Sequence, residues 1–447
     1  MSCTTASKPA FPCQTQHMSK FMRGRNTLWL VLGTVLVTLI GVLLAVNLTA
    51  GEKKIERRVE RLYALDDERF AHELGVLLGP PFLAGNRHQV LLNGDQIFPP
   101  MLAAIRGAQT TITFETYIYW SGEIGQAFAD ALAERARAGV KVHVLLDWVG
   151  SAKVAESMLE KMREAGVQIR KFHPPHWSHL GRMNNRTHRK LLVVDGRIGF
   201  TGGVGIAPLW TGQAQDPEHW RDTHFKVEGP VVAQMQSVFI DNWIKVTGDV
   251  LHGPAYFPTL TAAGEARAQM FSSSPSGGSE SMQLMYLLAI TGASRSIDLS
   301  AAYFVPDELS SQALVAAMKR GVKLRIVVPG EHIDSDAVRG AGRARWGPLL
   351  EAGALIAEYR PTMYHCKVMI IDELLVSVGS TNFDNRSFRL NDEATLNIID
   401  AAFAREQTAV FNADLGLARP ISHAEWLARP WQEKLGERVA SLIGAQL

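Results

Sequence analysis

The chain has 447 residues, 47% of them hydrophobic and 20% charged, a composition that builds a sizeable core and excludes a disordered or collagen-like chain. At roughly 150 residues per domain, this length suggests about three domains or two large ones. With 46 basic against 44 acidic residues the formal net charge is only +2, without the basic bias or basic tail of a dedicated nucleic-acid binder. Cys3, Cys13 and Cys366 are the three cysteines. They build no disulfide framework in the folded part and no CxxC knuckle, a usage that fits a reducing compartment.

In chain order, residues 1–27 form a tail, with Met18 and Met22 as alternative starts. Leu28 to Leu48 reads LWLVLGTVLVTLIGVLLAVNL without a charge. Its helix would span roughly 30 Å, the thickness of a hydrocarbon core. An uncleaved transmembrane helix over 28–48 is therefore expected; a cleaved signal usually has a shorter apolar core, and no small-x-small site convinces after Val46. Basic residues on both sides, Lys20, Arg23 and Arg25 before and Lys53, Lys54, Arg57 and Arg58 after, leave the orientation open. Residues 49–84 read as a charge-rich juxtamembrane helix or linker, ending at the Gly79-Pro80-Pro81 break.

The globular part repeats itself. A strand with Ile112, Phe114 and Ile118 is followed by the helix-like ALAERARAG and by VKVHVLLDW. A second strand, with Ile297, Leu299 and Tyr303, is followed by ALVAAMKRG and VKLRIVVPG. Glu164-Ala165-Gly166-Val167 and Glu351-Ala352-Gly353-Ala354 then introduce one more strand each. Strands alternating with helices predict βαβ units and a mainly parallel sheet in each half. The expected lobes are 85–262 and 263–430, followed by a C-terminal helix over 431–447. Ser272 to Gly278 near the join is either a linker or a loop whose amides face a ligand. Glu425 to Leu447 reads as one or two amphipathic helices packed on the body.

Each half carries one short pattern at the same place in its repeat: His188-Arg189-Lys190, LLVV and Asp195, then His365-Cys366-Lys367, VMII and Asp372. One match is expected by chance on the order of a few hundredths of a time; two in register with a repeat are far rarer. The apolar runs are strands. Alternation then puts His188 with Lys190, and His365 with Lys367, on one face. Asp195 and Asp372 fall on the opposite parity, which favours a turn or structural salt-bridge role. Histidines that can be one neutral and one protonated, with two lysines for the non-bridging oxygens, suit a phosphodiester and require no metal or other cofactor.

Here the chain resembles the phospholipase D superfamily, in its bacterial cardiolipin synthase-like branch, over nearly all of residues 85–430. The family pattern continues into Gly-Ser-x-Asn, matched by Gly379-Ser380-Thr381-Asn382 and FDNRSFRLNDE. In the first half Gly205 of Gly202-Gly203-Val204-Gly205 replaces the Asn, which puts that phosphate contact in question. The resemblance implies an α/β fold of two similar α/β/α sandwich lobes about a pseudo-twofold axis, with one active site between them. It implies a catalytic set of His188, Lys190, Asp195, His365, Lys367 and Asp372, and a phosphohistidine intermediate. It also implies that a downstream acid orients each histidine, Glu393 serving His365 and Asp222 serving the first half. Ser380 and Asn382 would help bind the phosphate. His188 is taken as nucleophile and His365 as acid, although the duplication makes them nearly interchangeable.

Other signals are weaker. His173, His176 and His179 are interrupted by Pro174 and Pro175, so no helix face gathers them for a metal; a loop at the substrate entrance, with Trp177 against acyl chains, fits better. Arg186 would extend the basic face of His188 and hold a lipid phosphate, or be a surface arginine, and Asn184 is a lesser candidate. Glu115 and Tyr117 are rim or core residues, and Cys366 is a packed thiol. The expected function is a membrane-bound phosphatidyltransferase using phosphatidylglycerol or a similar phospholipid as donor and making cardiolipin. The alternative is a phospholipase D that uses water as acceptor. A nuclease is disfavoured by the anchor and the charge, so no nucleic-acid partner is expected; a non-catalytic lipid binder is disfavoured by the two intact motifs.

Overall fold

The computed structural model describes residue 2 and residues 15–49, 55–174, 184–275 and 281–442. The chain forms two compact units, Met1–Ala50 and Gly51–Leu447. The first is a helix, Thr15–Thr49. Its window Asn26–Leu43 has a mean hydropathy of 2.0 and is long and apolar enough to cross a membrane.

In the second unit the juxtamembrane helix is shorter than its charge pattern suggests. Residues 55–65 run without regular structure, and the helix spans Glu68–Leu78, begun where the Asp67 carboxylate accepts the Arg69 N–H. Its Phe70, Leu74 and Leu78 pack with Met282 and Met285 of the helix Met282–Gly292.

Sixteen strands among the described residues form one continuous sheet. The first half supplies β1 (Leu83–Leu92), β2 (Thr111–Thr116), β3 (Lys141–Asp147), β4 (Gln168–Phe172), β5 (Arg186–Thr187), β6 (Leu191–Val194), β7 (Ile198–Gly202) and β8 (Thr223–Glu228). The second supplies β9 (Ala266–Ser273), β10 (Ser296–Ala301), β11 (Lys323–Pro329), β12 (Leu355–Tyr359), β13 (Lys367–Ile371), β14 (Leu375–Gly379), β15 (Asn391–Ile399) and β16 (Ala418–Ile421). From the centre outward the halves read β1-β8-β7-β6-β2-β3-β4 and β9-β15-β14-β13-β10-β11-β12-β16, meeting where β1 and β9 pair antiparallel. The same path run twice from a shared seam is the pseudo-twofold arrangement of two lobes.

The expectation of a mainly parallel sheet is corrected. Within each half only β2-β3-β4 and β10-β11-β12 are parallel; the motif strands β6 and β13 pair antiparallel on both sides. Asp195 (φ 52°) with Gly196 (φ 62°), and Asp372 (φ 56°) with Glu373 (φ 51°), make left-handed turns. They fold each motif strand straight back on itself as a hairpin. Both faces of β6 are buried: Leu192 and Val194 join the first-lobe core, while Leu191 and Val193 join a cluster shared with Val368 and Ile370 of β13. Helices on both faces cover the sheet, so the motif strands lie at the centre of an α/β/α sandwich. Strand β9 continues through Ser272 and Ser273, while residues 276–280 of the serine-rich join lie outside the described residues.

Candidate active site

Each motif strand belongs to its own lobe, but the residues just ahead of it are stitched to the other lobe. β5 pairs in parallel with Asn391 and Asp392 of β15, and the His188 N–H donates to the Asp392 carbonyl at 2.9 Å. Tyr364 likewise bridges to Arg221, and the His365 N–H donates to the Arg221 carbonyl at 2.7 Å. The residues that follow those two carbonyls are Glu393 and Asp222.

The acids therefore cross over. His188 Nδ1 lies 3.0 Å from Glu393 Oε1 and 3.1 Å from Oε2, and His365 Nδ1 lies 2.7 Å from Asp222 Oδ2. The expected pairing, Glu393 with His365 and Asp222 with His188, is wrong. Backbone pairing across the lobe boundary decides which acid reaches which ring, not order along the chain. A carboxylate at Nδ1 orients the imidazole and fixes the tautomer that leaves Nε2 open for chemistry.

The lysines follow alternation. Lys190 Nζ donates to the His188 carbonyl at 2.9 Å and Lys367 Nζ to the His365 carbonyl at 2.8 Å; Lys367 Nζ also lies 3.2 Å from both ring nitrogens of His365. All six groups are buried. Burial pushes His188 down to about 4, with Glu393 opposing and Lys190 adding. Burial and Lys367 push His365 down to about 3, against Asp222. Burial and the charge of Lys367 bring Lys190 to about 7. Burial works against the charges on Asp222 and Glu393, yet His365 for the one and His188 for the other outweigh it and hold both carboxyls below their ordinary range. Each histidine is bonded to the acid of the other half, which brings the two half-motifs together.

Asp195 and Asp372 are not in it, and their inclusion in the catalytic set is corrected. The Asp195 carboxylate accepts the N–H groups of Gln109, Thr110 and Thr111 ahead of β2. Asp372 accepts those of Ser294, Arg295 and Ser296 ahead of β10. In the antiparallel registers, Glu115 opposite Leu191 and Ile112 opposite Val194, these aspartates sit at the end of the strand away from the histidines. They pin the turns.

Ser380 hydrogen-bonds to Glu393 Oε2 and receives the Ala394 N–H at 3.0 Å, so its hydroxyl is committed to the acid rather than open to a phosphate. Asn382 is buried, and its Oδ1 has no hydrogen-bond partner among the described residues. Arg186 lies over the Trp148 ring at 5.3 Å and within electrostatic reach of Tyr117 and Asp147. The Tyr117 ring in turn stands 5.3 Å from His188. Asn184 bonds Arg386, and Cys366 is buried with its thiol toward the Arg221 carbonyl. His176, Trp177 and His179 lie outside the described residues, and no group of three His, Cys, Asp or Glu side chains among the described residues is arranged to hold a metal.

Two features escaped the sequence. Trp210 is fully buried, donates its indole N–H to Asp222 Oδ2 at 2.9 Å, and stands edge-on to His365 at 5.2 Å. Gly205 makes room for it: a Cβ there would meet Ile118 Cβ at 2.9 Å and the Trp210 ring at 3.0 Å. Second, buried ion pairs back the crossing segments. Asp414 grips Arg221 through two bonds of 2.9 Å, while Asp392 faces Lys245 at 3.0 Å and Arg189 at 3.6 Å. Arg189 gave a signal, since an arginine of opposite parity to the histidine in a buried strand needs a partner.

The model of the cardiolipin synthase, phospholipase D-like domain matches residues 101–243 and 286–415. Cardiolipin synthase A of Pseudomonas fluorescens (strain SBW25) is 35% identical over 364 residues, covering 81% of this chain and 75% of that one. Cardiolipin synthase of Geobacillus kaustophilus is 34% identical over 393 residues, 87% of this chain and 78% of the relative. Among solved structures, a phosphatidylserine synthase of Haemophilus influenzae shares the fold, with TM-score 0.62 at 12% identity over 85% of this chain and 100% of its own. Two half-motifs, paired across lobes and matched at this level over most of their length, leave one assignment: the chain belongs to the cardiolipin synthase family of phospholipase D-like enzymes.

Proposed function

We propose that the chain is a single-pass, membrane-anchored phosphatidyltransferase that takes a phosphatidyl group from phosphatidylglycerol or a similar lipid and passes it to the hydroxyl of a second lipid, forming cardiolipin. The observation that carries this reading is the pair of buried carboxylate–histidine couples, joined crosswise, with two lysines at the same site. The apolar helix Thr15–Thr49 supports the anchor.

The chemistry runs through a covalent phosphohistidine. His188 Nε2 attacks phosphorus while His365 protonates the departing glycerol oxygen, so one P–O bond breaks as one P–N bond forms. The acceptor hydroxyl then gives its proton to His365 and attacks phosphorus, and His188 leaves. Lys190, Lys367 and Asn382 face the non-bridging oxygens, where charge develops. Burial and the lysines disfavour the cation on both imidazoles. A bound phosphodiester brings the negative charge that returns a proton to one of them. His365 suits that role, having the closer carboxylate, 2.7 Å against 3.0 Å at His188.

The test is mass spectrometry of lipids after incubating purified protein with phosphatidylglycerol vesicles. Cardiolipin and free glycerol in equal amounts are expected. Phosphatidic acid and glycerol without cardiolipin would make water the acceptor and the protein a phospholipase D.

A further inference from the structure

The C-terminal helix Trp431–Leu442 packs the wrong way round for a helix of a water-soluble body. Its charged side faces the protein: Glu433 pairs with Arg343 at 2.5 Å, and the buried Glu437 pairs with Arg429 at 2.8 Å and with Arg343 at 3.6 Å. The opposite side is apolar and exposed, with Trp431 69%, Leu435 54%, Val439 58% and Leu442 83% accessible. At 3.6 residues per turn these four side chains occupy an arc of roughly 80°. Lys434 and Arg438 border that arc on one side, and Leu427 of the preceding helix, 53% accessible, extends the apolar area. The expected packing of this segment on the body is thus made by its polar face.

The helix is held to the body along its polar side. It runs antiparallel along the helix Asp336–Arg343, Glu433 beside Arg343 and Ala440 beside Gly340. Ala440 packs with Tyr303, Val305, Val338 and Ala341. The Tyr303 hydroxyl donates to Asp334, whose carboxylate lies within electrostatic reach of Lys367. The packed side of the helix is thereby linked, through Tyr303 and Asp334, to the half that carries Lys367. A tryptophan and aliphatic side chains on one face with basic residues at its border are the pattern of a helix lying in the plane of a bilayer surface.

We infer that the face formed by Trp431, Leu435, Val439 and Leu442, bordered by Lys434 and Arg438, seats on the surface of an anionic bilayer, where the lipid substrate lies. This rests on the reading of the chain as a membrane phosphatidyltransferase. One such helix binds weakly alone, but in a chain already tethered by an anchor the local lipid concentration is high and a weak contact suffices.

Full-length protein carrying Cys3→Ser, Cys13→Ser and Leu435→Cys, labelled at residue 435 with an environment-sensitive fluorophore, is reconstituted into phosphatidylcholine vesicles with and without phosphatidylglycerol. Quenching by nitroxide-labelled lipid is expected at 435, stronger with phosphatidylglycerol, and absent for a label at the exposed Lys161→Cys in the first lobe. A label at 435 that stays in water overturns the inference, as does self-quenching that grows with protein density, which would make a second copy the partner. This readout needs no turnover, so it stands or falls separately from the catalytic reading. In a second arm, Trp431→Ser/Leu435→Ser/Val439→Ser should raise the apparent KM for vesicle lipid about tenfold while leaving turnover of a dispersed short-chain lipid unchanged. Equal KM on vesicles would contradict the seating.

Discussion

The two half-sites share one backbone plan and differ in almost every group that supports it. In each, a histidine N–H reaches across the lobe boundary to the carbonyl that precedes the orienting acid of the other half. Behind those carbonyls the charges are reversed: Asp392 is met by Lys245 and Arg189, whereas Arg221 is met by Asp414. The acids are held differently as well, Glu393 by the Ser380 hydroxyl and the Asn391 amide, Asp222 by the Trp210 indole and the Thr223 N–H. Opposite the residue after each lysine, β2 places Glu115, bonded to Thr187 and Asn242, while β10 places Ser300, bonded to Tyr364. Geometry is what the duplication holds fixed. Electrostatic support is solved twice, by whatever donors each lobe supplies.

The largest test breaks the crossed pairing. His188→Ala or His365→Ala should abolish turnover, by at least about 10³-fold. Glu393→Gln and Asp222→Asn should each cost about 10²-fold or more. In double-mutant cycles Glu393 should couple to His188 and Asp222 to His365, the cross-combinations being closer to additive. Coupling of Glu393 to His365 instead would restore the order implied by the chain.

Next comes the clamp. If Asn382 donates to a non-bridging oxygen, losing a charge-assisted bond of roughly 1.5–3 kcal/mol lowers turnover by about 10- to 100-fold in Asn382→Ala. From the sequence, Gly205→Ala looks mild. With Ile118 and Trp210 against that position, it should instead destabilise the fold by about 1–3 kcal/mol, an overpacking cost read in thermal melts.

The orienting donors give smaller effects. Trp210→Phe keeps an aromatic, smaller ring and removes the N–H, and Ser380→Ala removes the hydroxyl; each should lower turnover about tenfold, the worth of one buried hydrogen bond. The Trp210→Phe loss should shrink for a substrate with a good leaving group, which needs little help from an acid. An equal loss with both substrates would make Trp210 a packing residue only.

The smallest effect is one of stability. Burial raises Glu115 to about 7, so the folded state binds the extra proton between its unfolded value of about 4.5 and 7. Its stabilising contribution is complete below that window and is lost as pH rises through it. Glu115→Gln removes the dependence, so the melting temperature of the variant relative to the parent should rise between pH 4.5 and 7 and then level off. A flat difference would mean that Glu115 is ionised in the fold.

Much of this is legible in the sequence. The double motif, its parity and the exclusion of Asp195 and Asp372 from the histidine face follow from a two-residue strand repeat. The Asp195-Gly196 pair in LLVVDGRIGF is also a hairpin signal, one that points to an antiparallel return rather than a mainly parallel sheet. The crossing of Glu393 and Asp222 was not legible, because it depends on how the two halves pair along β5, β15 and the Arg221–Tyr364 bridge. Trp210 was hidden for a related reason: its site exists only because Gly205 leaves space for an indole five residues along the chain.

The most direct measurement of the central claim is peptide mapping of protein quenched during turnover of a labelled short-chain phosphatidylglycerol. The label should sit on the peptide containing His188, accumulate in a His365→Ala variant given a substrate with a good leaving group, and be absent from His188→Ala. Label on the His365 peptide would reverse the roles of the two histidines, and stoichiometric turnover with no labelled histidine in any variant would contradict the covalent mechanism.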